Sequence, residues 1–98
     1  MQDDDFEWDE RKSKSNYDKH GIAFDYAKQA FADPFGVEIL DDTEDYREDR
    51  YLFIGMIEGT LFSVIYTLRS ERFRLISARY SNKDEQDHYF RRNSEGAV

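Results

Sequence analysis

The stretch RYLFIGMIEGTLFSVIYTLRSERFRLISARY, residues 50–80, decides the fold. It divides into three runs rich in β-branched and aromatic residues, 50–57, 61–68 and 72–80, separated by Glu58-Gly59 and Ser70-Glu71. Runs of this kind joined so tightly predict an antiparallel meander. If both connections are two-residue hairpins, Arg50 faces Thr67, Leu52 faces Ile65 and Ile54 faces Ser63. Across the second turn Thr67 faces Arg74, Arg69 faces Arg72 and Ile65 faces Ile76. Side chains alternate between the two faces of a strand. Tyr51, Phe53, Phe62, Val64, Tyr66, Phe73 and Leu75 therefore share one face, which is a core. The other face is apolar in its middle and cationic at one end. There Arg50, Thr67 and Arg74 form a transverse row with Arg69 and Arg72 beside it, and Glu48 joins if the strand extends backwards. A register slip of one residue would scatter that row onto both faces.

Upstream of the meander, Asp9 can cap a helix running to about Lys19, and Gly21 suits the left-handed position that ends one. A second, shorter helix is expected after Phe24, with Tyr26, Ala27, Ala30 and Phe31 at helical spacing. Asp33-Pro34 stops it, because proline drives its predecessor out of helical geometry. Residues 35–40 read as a first strand and the acidic stretch 41–49 as a mobile loop. Downstream, Ser81 or Asn82 caps a last helix with Asp84 or Glu85 as capping-box partner. That helix turns Tyr89 and Phe90 inward and ends near Arg92. The expected architecture is α+β: two N-terminal helices, a four-stranded, largely antiparallel sheet and a C-terminal helix.

The 98 residues make one domain, 1–98, with residues 1–5 and 93–98 as flexible ends. Eight phenylalanines, seven tyrosines and Trp8 argue for a packed core rather than disorder. No apolar run approaches a bilayer span, and the acidic start Met1-Gln2-Asp3-Asp4-Asp5 is unlike a secretory leader, so a cytoplasmic location is expected. There is no cysteine, hence no disulfide framework and no thiolate metal site. No metal-ligand spacing, glycine-rich phosphate loop or Gly-x-Ser-x-Gly elbow is present, and no cofactor or metal is expected.

A net charge of −8 ordinarily counts against nucleic-acid binding. The distribution weakens that objection. Residues 3–10 carry six acids and no base, and residues 41–49 carry six acids against Arg47, whereas residues 60–83 set Arg69, Arg72, Arg74, Arg79 and Lys83 against Glu71 alone. The basic block is a local field rather than an average. Arginine suits phosphate because its planar fork offers paired donors and keeps its charge. The same arginines can equally be edge-of-sheet charges that pair with the acidic loop.

In the first helix Lys12, Asn16, Lys19 and His20 fall at i, i+4, i+7 and i+8, on one face. A small domain normally turns an apolar stripe inward, and this one is polar. His20 is a candidate acid–base group by its ordinary pKa, and a structural cap at a helix C-terminus by its charge.

These motifs carry a family resemblance. Phe6-Glu7-Trp8-Asp9, Lys12, Asn16, Lys19-His20-Gly21-Ile22 and Phe24 resemble the N-terminus of the BrnT family of bacterial toxins. The resemblance continues through Arg50 after an acidic loop, Thr67-Leu68-Arg69, residues 72–79, and Lys83 to Glu85 with Tyr89, and covers 6–90. It implies a RelE-like fold, RNA cleavage and growth arrest, relieved by a BrnA-type antitoxin. Operator DNA would be met only indirectly, through that antitoxin, and no membrane is involved. Cleavage without a metal would use the substrate's 2′-hydroxyl, and needs a base, cations around the phosphate and a proton donor. By the resemblance, Arg69, Arg79 and Arg50 contact phosphate, Thr67 positions it, and His20 or Glu48 is the base. Lys12, Lys19, Arg72, Arg74 and Lys83 would bind RNA. The simple register puts Arg79 on the face opposite Thr67, so a bulge or a strand-end position must reconcile them.

Two departures from the family stand out: the heavy N-terminal acidic run, and Asp84, Glu85 and Asp87 where members are more basic. They leave room for a different class, a catalytically inactive domain that only binds an antitoxin-like partner. Phe6 and Trp8 are expected at the antitoxin interface as large aromatic anchors, with stapling of the helix start into the core as the other role open to Trp8.

Overall fold

The computed structural model describes residues 5–41 and 49–95. Strand β1 (Phe6–Glu7) leads into helix α1 (Glu10–His20), and a single turn α2 (Phe24–Ala27) tightens into a 3-10 turn over Lys28–Ala32. Strands β2 (Val37–Asp41), β3 (Arg50–Ile57), β4 (Thr60–Arg69) and β5 (Arg72–Tyr80) follow, then helix α3 (Lys83–Glu95). The α+β class is as expected, but the sheet has five strands in the order β1-β5-β4-β3-β2, and β1 pairs parallel to β5. A two-residue strand has no periodicity to read, so β1 is missed from sequence. The second helix is shorter than expected and becomes a 3-10 turn. The acidic residues 42–48 lie outside the described residues.

Local chemistry explains most boundaries. The Asp9 carboxylate accepts the Arg11 N–H at 2.8 Å, and Gly21 closes α1 at φ 75° with its N–H on the Tyr17 carbonyl. That backbone bond lowers the Asp9 pKa, as expected of a carboxylate capping a helix. Strand β2 begins at Val37 rather than residue 35 because Asp33 first builds a turn. Its carbonyl accepts the Gly36 N–H at 3.0 Å and its carboxylate the Phe35 N–H at 2.8 Å. The Asp33 carboxylate also accepts from the Met56 N–H (2.8 Å) and the Tyr89 hydroxyl (2.7 Å), tying the turn to β3 and α3.

Both hairpins are two-residue turns with positive φ, at Glu58-Gly59 and at Ser70-Glu71, the handedness that matches strand twist. The register follows: Leu52 pairs Ile65, Ile54 pairs Ser63, Thr67 pairs Arg74 and Arg69 pairs Arg72. The expected pairing of Ile65 with Ile76 fails. A bulge after Tyr66–Leu75 makes Ile65 the partner of Ser77, Val64 of Ala78 and Ser63 of Arg79. An extra residue in one strand reverses the facing of everything beyond it. Arg79 therefore shares a face with Thr67 and Arg74.

The face without the arginines is closed by α1, α2 and the 3-10 turn. Phe24, Ala27, Ala30, Phe62, Val64, Tyr66, Leu75 and Ala78 are buried there, with Phe6, Phe31, Tyr51, Phe53 and Phe73 packed around them. Gly55 lets the 3-10 turn lie directly on β3: a Cβ at that position would sit 2.4 Å from the Ala30 carbonyl oxygen. The opposite face is covered only in part, where Tyr89 of α3 packs with Val37, Ile54 and Leu61. Phe90, expected inside, is 52% exposed. α3 also runs to Glu95, past the expected end near Arg92, and the Asn93 amide donates to the Phe35 and Tyr89 carbonyls.

Candidate functional site

The polar stripe of α1 has two destinations. Asn16 is 7% exposed, and its side chain brackets the outer edge of β5. Its amide donates to the carbonyls of Ala78 and Ile22, each at 2.8 Å, and its oxygen accepts the Ala78 N–H at 3.1 Å. A side-chain amide thus satisfies a strand edge that would otherwise be buried unpaired. Ser13, also buried, accepts the Phe24 N–H at 3.1 Å. Lys12 and Lys19 are exposed and His20 is half-buried. These three, with Ser15, Asn16, Ile76 and Ser77, line a groove of roughly 190 Å³ between α1 and the β5 bulge.

The open face of the sheet holds the arginines, in two separate places. At the hairpin end Arg69 is exposed, opposite half-buried Arg72. Arg74 makes a 2.7 Å ion pair with Glu7 of β1. Thr67 is 2% exposed and donates its hydroxyl to the Asp49 carbonyl at 2.6 Å. It thereby ties β4 to the residue before Arg50, whose side chain is half-buried. Glu48 lies outside the described residues.

Arg79 lies at the far end of the same face. It is five positions on from Arg74, roughly 15 Å along a strand, so Arg79 does not join the hairpin cluster. It makes a two-pronged ion pair with Glu85, Nη1 to Oε1 at 2.7 Å and Nη2 to Oε2 at 2.8 Å. Glu85 is also the capping-box residue of α3: it accepts the Asn82 N–H at 2.9 Å, while Asn82 accepts the Glu85 N–H at 2.8 Å. Ser63 donates to Glu85 at 2.9 Å and contacts Ser81 at 2.7 Å. Burial alone would raise the Glu85 pKa, but the bonds from Arg79, Asn82 and Ser63 outweigh it and lower the pKa. The Glu85 bond raises the Arg79 pKa against an opposing desolvation. On this face Ile39, Leu40, Leu52 and Ile65 line a groove of roughly 390 Å³ together with Asp41, Arg79 and Glu85.

The remaining residues lie elsewhere. Lys83 is exposed and pairs with Asp87 one turn along α3 at 2.9 Å, a bond that raises its pKa. Trp8 is 4% exposed and packs edge-on against Phe24. Phe6 is half-buried and lines a groove of roughly 300 Å³ with Phe31, Phe73 and Lys28. A further groove, roughly 460 Å³, holds none of these residues; Tyr17, Tyr26 and Tyr80 stand around it. Sequence reading missed the roles of Glu7, Ser63 and Asn16, and recognised Glu85 only as a helix cap. Glu85 had a signal, its place three residues after Asn82, but its pairing with Arg79 crosses from strand to helix and leaves no periodic trace. Among the described residues no group of three His, Asp or Glu side chains is placed to hold a metal ion, and no helix is long and apolar enough to cross a membrane.

Fold and site together define a small α+β domain with one closed sheet face, one arginine-bearing face and a lysine–histidine groove at the edge between them. Residues 8–85 match the model of a family described as the ribonuclease toxin, BrnT, of type II toxin-antitoxin systems, and the chain belongs to that family. The matched span runs from Trp8 to Glu85 and so contains the arginines of the open face and the lysine–histidine groove, though not Glu7, the partner of Arg74. No curated protein matches the chain.

Proposed function

We propose that this ribonuclease toxin cleaves RNA without a metal ion, inhibits translation and growth by doing so, and is neutralised by a BrnA-type antitoxin in the cytoplasm. The observation that carries this reading is the β5 bulge, which turns Arg79 onto the face of Thr67 and Arg74. The bulge also places Ser77 in the groove of His20, Lys12 and Lys19 while pairing it with Ile65, which lines the neighbouring groove. The two grooves thus meet across β5, and a single strand crossing there would reach both.

On this path Arg79 binds the phosphate at the reacting centre, and Lys12 and Lys19 hold a neighbouring one. Arg69, Arg72 and Arg74 follow the strand towards the hairpin end. His20 stands as the base, with Glu48 the alternative. The 2′-oxygen attacks phosphorus as its proton passes to the base. The bond to the 5′-oxygen breaks, and that oxygen takes up a proton from water, the base afterwards returning its own proton to solvent. The products are a 2′,3′-cyclic phosphate and a 5′-hydroxyl. Arginine donors stabilise the extra charge of the phosphorane-like transition state. Thr67 contributes indirectly, because its hydroxyl holds the backbone before Arg50. Lys83 adds positive charge beside α3. Phe6 and its groove offer the antitoxin an apolar seat, with Trp8 supporting it from the core. Operator DNA is met only through the antitoxin.

One observation favours the other reading, an inactive antitoxin-binding domain: Arg74 and Arg79 are both already paired with carboxylates. Purified protein incubated with naked RNA in chelator separates the two. Cleavage with cyclic-phosphate ends is the expected result, and intact RNA would leave only the binding module.

A further inference from the structure

We propose that Glu85 is a positioning residue for cleavage, orienting Arg79 so that one edge of its guanidinium is presented to an RNA phosphate; this rests on the reading of Arg79 as the phosphate contact. The carboxylate takes one hydrogen each from Nη1 and Nη2, end-on. The outer Nη1 hydrogen is directed at the Tyr80 carbonyl at 3.4 Å. Among the described residues the Nε–H and the outer Nη2–H are left, two parallel donors along one side of the plane. That pair matches two oxygens of a phosphodiester. Arg79 remains 33% exposed while Glu85 is only 12% exposed, and both border the groove, so the arginine is the more accessible member of the pair.

Glu85 is itself held on three sides, by the Asn82 N–H, the Ser63 hydroxyl and the fork of Arg79. With the Ser63 hydrogen committed to Glu85, the Ser81 hydroxyl is the donor to Ser63. A carboxylate with four donors and a lowered pKa is unsuited to abstract a proton. It is well suited to stop a long side chain from wandering. Fixing the arginine in advance removes a reorganisation that would otherwise accompany the chemical step.

The simplest competing role is that the pair merely pins α3 to the sheet. Single-turnover cleavage by four variants distinguishes them. Arg79→Ala should lower the rate by about 100-fold, the loss typical of a transition-state donor. Glu85→Gln keeps the capping box, which accepts glutamine, but sets an amide against the Arg79 donors; it should cost about tenfold in rate with little change in melting temperature. Asn82→Ala weakens the cap and leaves the fork intact, so it should lower the melting temperature and spare the rate. Added guanidinium at millimolar concentration should restore part of the activity of Arg79→Ala, and none to Arg79→Ala/Glu85→Gln. The proposal is overturned if Glu85→Gln cleaves normally while Arg79→Ala does not. It is equally overturned if Asn82→Ala loses as much rate as Glu85→Gln, or if guanidinium rescues both backgrounds alike. Normal cleavage by Arg79→Ala would remove the phosphate contact itself, and this inference with it.

Discussion

The two faces of the sheet are built from the same strands and differ in how they spend their polar groups. On the closed face, polar side chains serve the backbone: Asn16 brackets Ala78 and Ser13 holds the Phe24 N–H. On the open face Thr67 also serves the backbone, but the arginines pair with carboxylates, Arg74 with Glu7 and Arg79 with Glu85. Buried backbone groups tolerate no alternative partner, whereas a partly exposed arginine held by a carboxylate on one edge keeps donors for a phosphate on another. A polar stripe on a helix therefore says little about ligands until the destination of each bond is known. In α1 the same stripe yields a structural bracket at Asn16 and a groove-lining histidine one turn later.

Substitutions on the closed face should test this contrast most severely. Trp8→Ala removes a buried indole and should cost about 3–5 kcal/mol of unfolding free energy, measured by urea denaturation. A normal melting curve with lost antitoxin binding would instead move Trp8 to the partner surface. Asn16→Ala leaves the Ala78 and Ile22 backbone groups without their partner, at about 1–3 kcal/mol for each unmet group. Lys12→Ala, on the same stripe but exposed, should stay within about 0.5 kcal/mol. Equal losses at the two positions would erase the distinction between bracket and groove.

A smaller effect is expected where α3 meets the sheet. Burial, reinforced by the bond to Asp33, pushes the Tyr89 hydroxyl up to about 12 from an ordinary 10.0. The folded state holds this proton more tightly than the unfolded one. The associated stability is complete below pH 10 and is lost as pH rises towards about 12. Stability measured across that window should fall in the native protein, and Tyr89→Phe should flatten the fall. Least visible in folding is Arg69→Ala on the open face. It should change stability by under about 0.5 kcal/mol, yet reduce the salt dependence of RNA binding by about one unit of slope. An unchanged slope would take Arg69 off the RNA path.

Residues 50–69 were legible because strand alternation and two-residue turns leave few choices, and the pairings of Leu52 with Ile65 and Thr67 with Arg74 followed directly. Gly21 and the Asn82–Glu85 box were legible for a similar reason, since each meets a local demand of a helix end. The β5 bulge was not. It leaves Ile76 without a ladder partner, a tertiary matter without a local code, yet it determines which face Arg79 is on. Phe6–Glu7 was missed as a strand because it pairs in parallel with residues far along the chain. The candidate site was thus legible in its residue types and partly in its rows. Its division into two arginine sites and a histidine groove came only from packing.

On the proposed reading RNA lies across β5 on the open face, joining the two grooves. Amide chemical-shift mapping with a short RNA blocked by 2′-deoxy substitution tests it most directly, since binding is then seen without turnover. The perturbations should gather on Ile65, Ser77 and Arg79 and on the α1 residues from Lys12 to His20, and extend more weakly to Arg69 and Arg72. Perturbations centred instead on Tyr17, Tyr26 and Tyr80, with Ser77 and Arg79 unmoved, would contradict it.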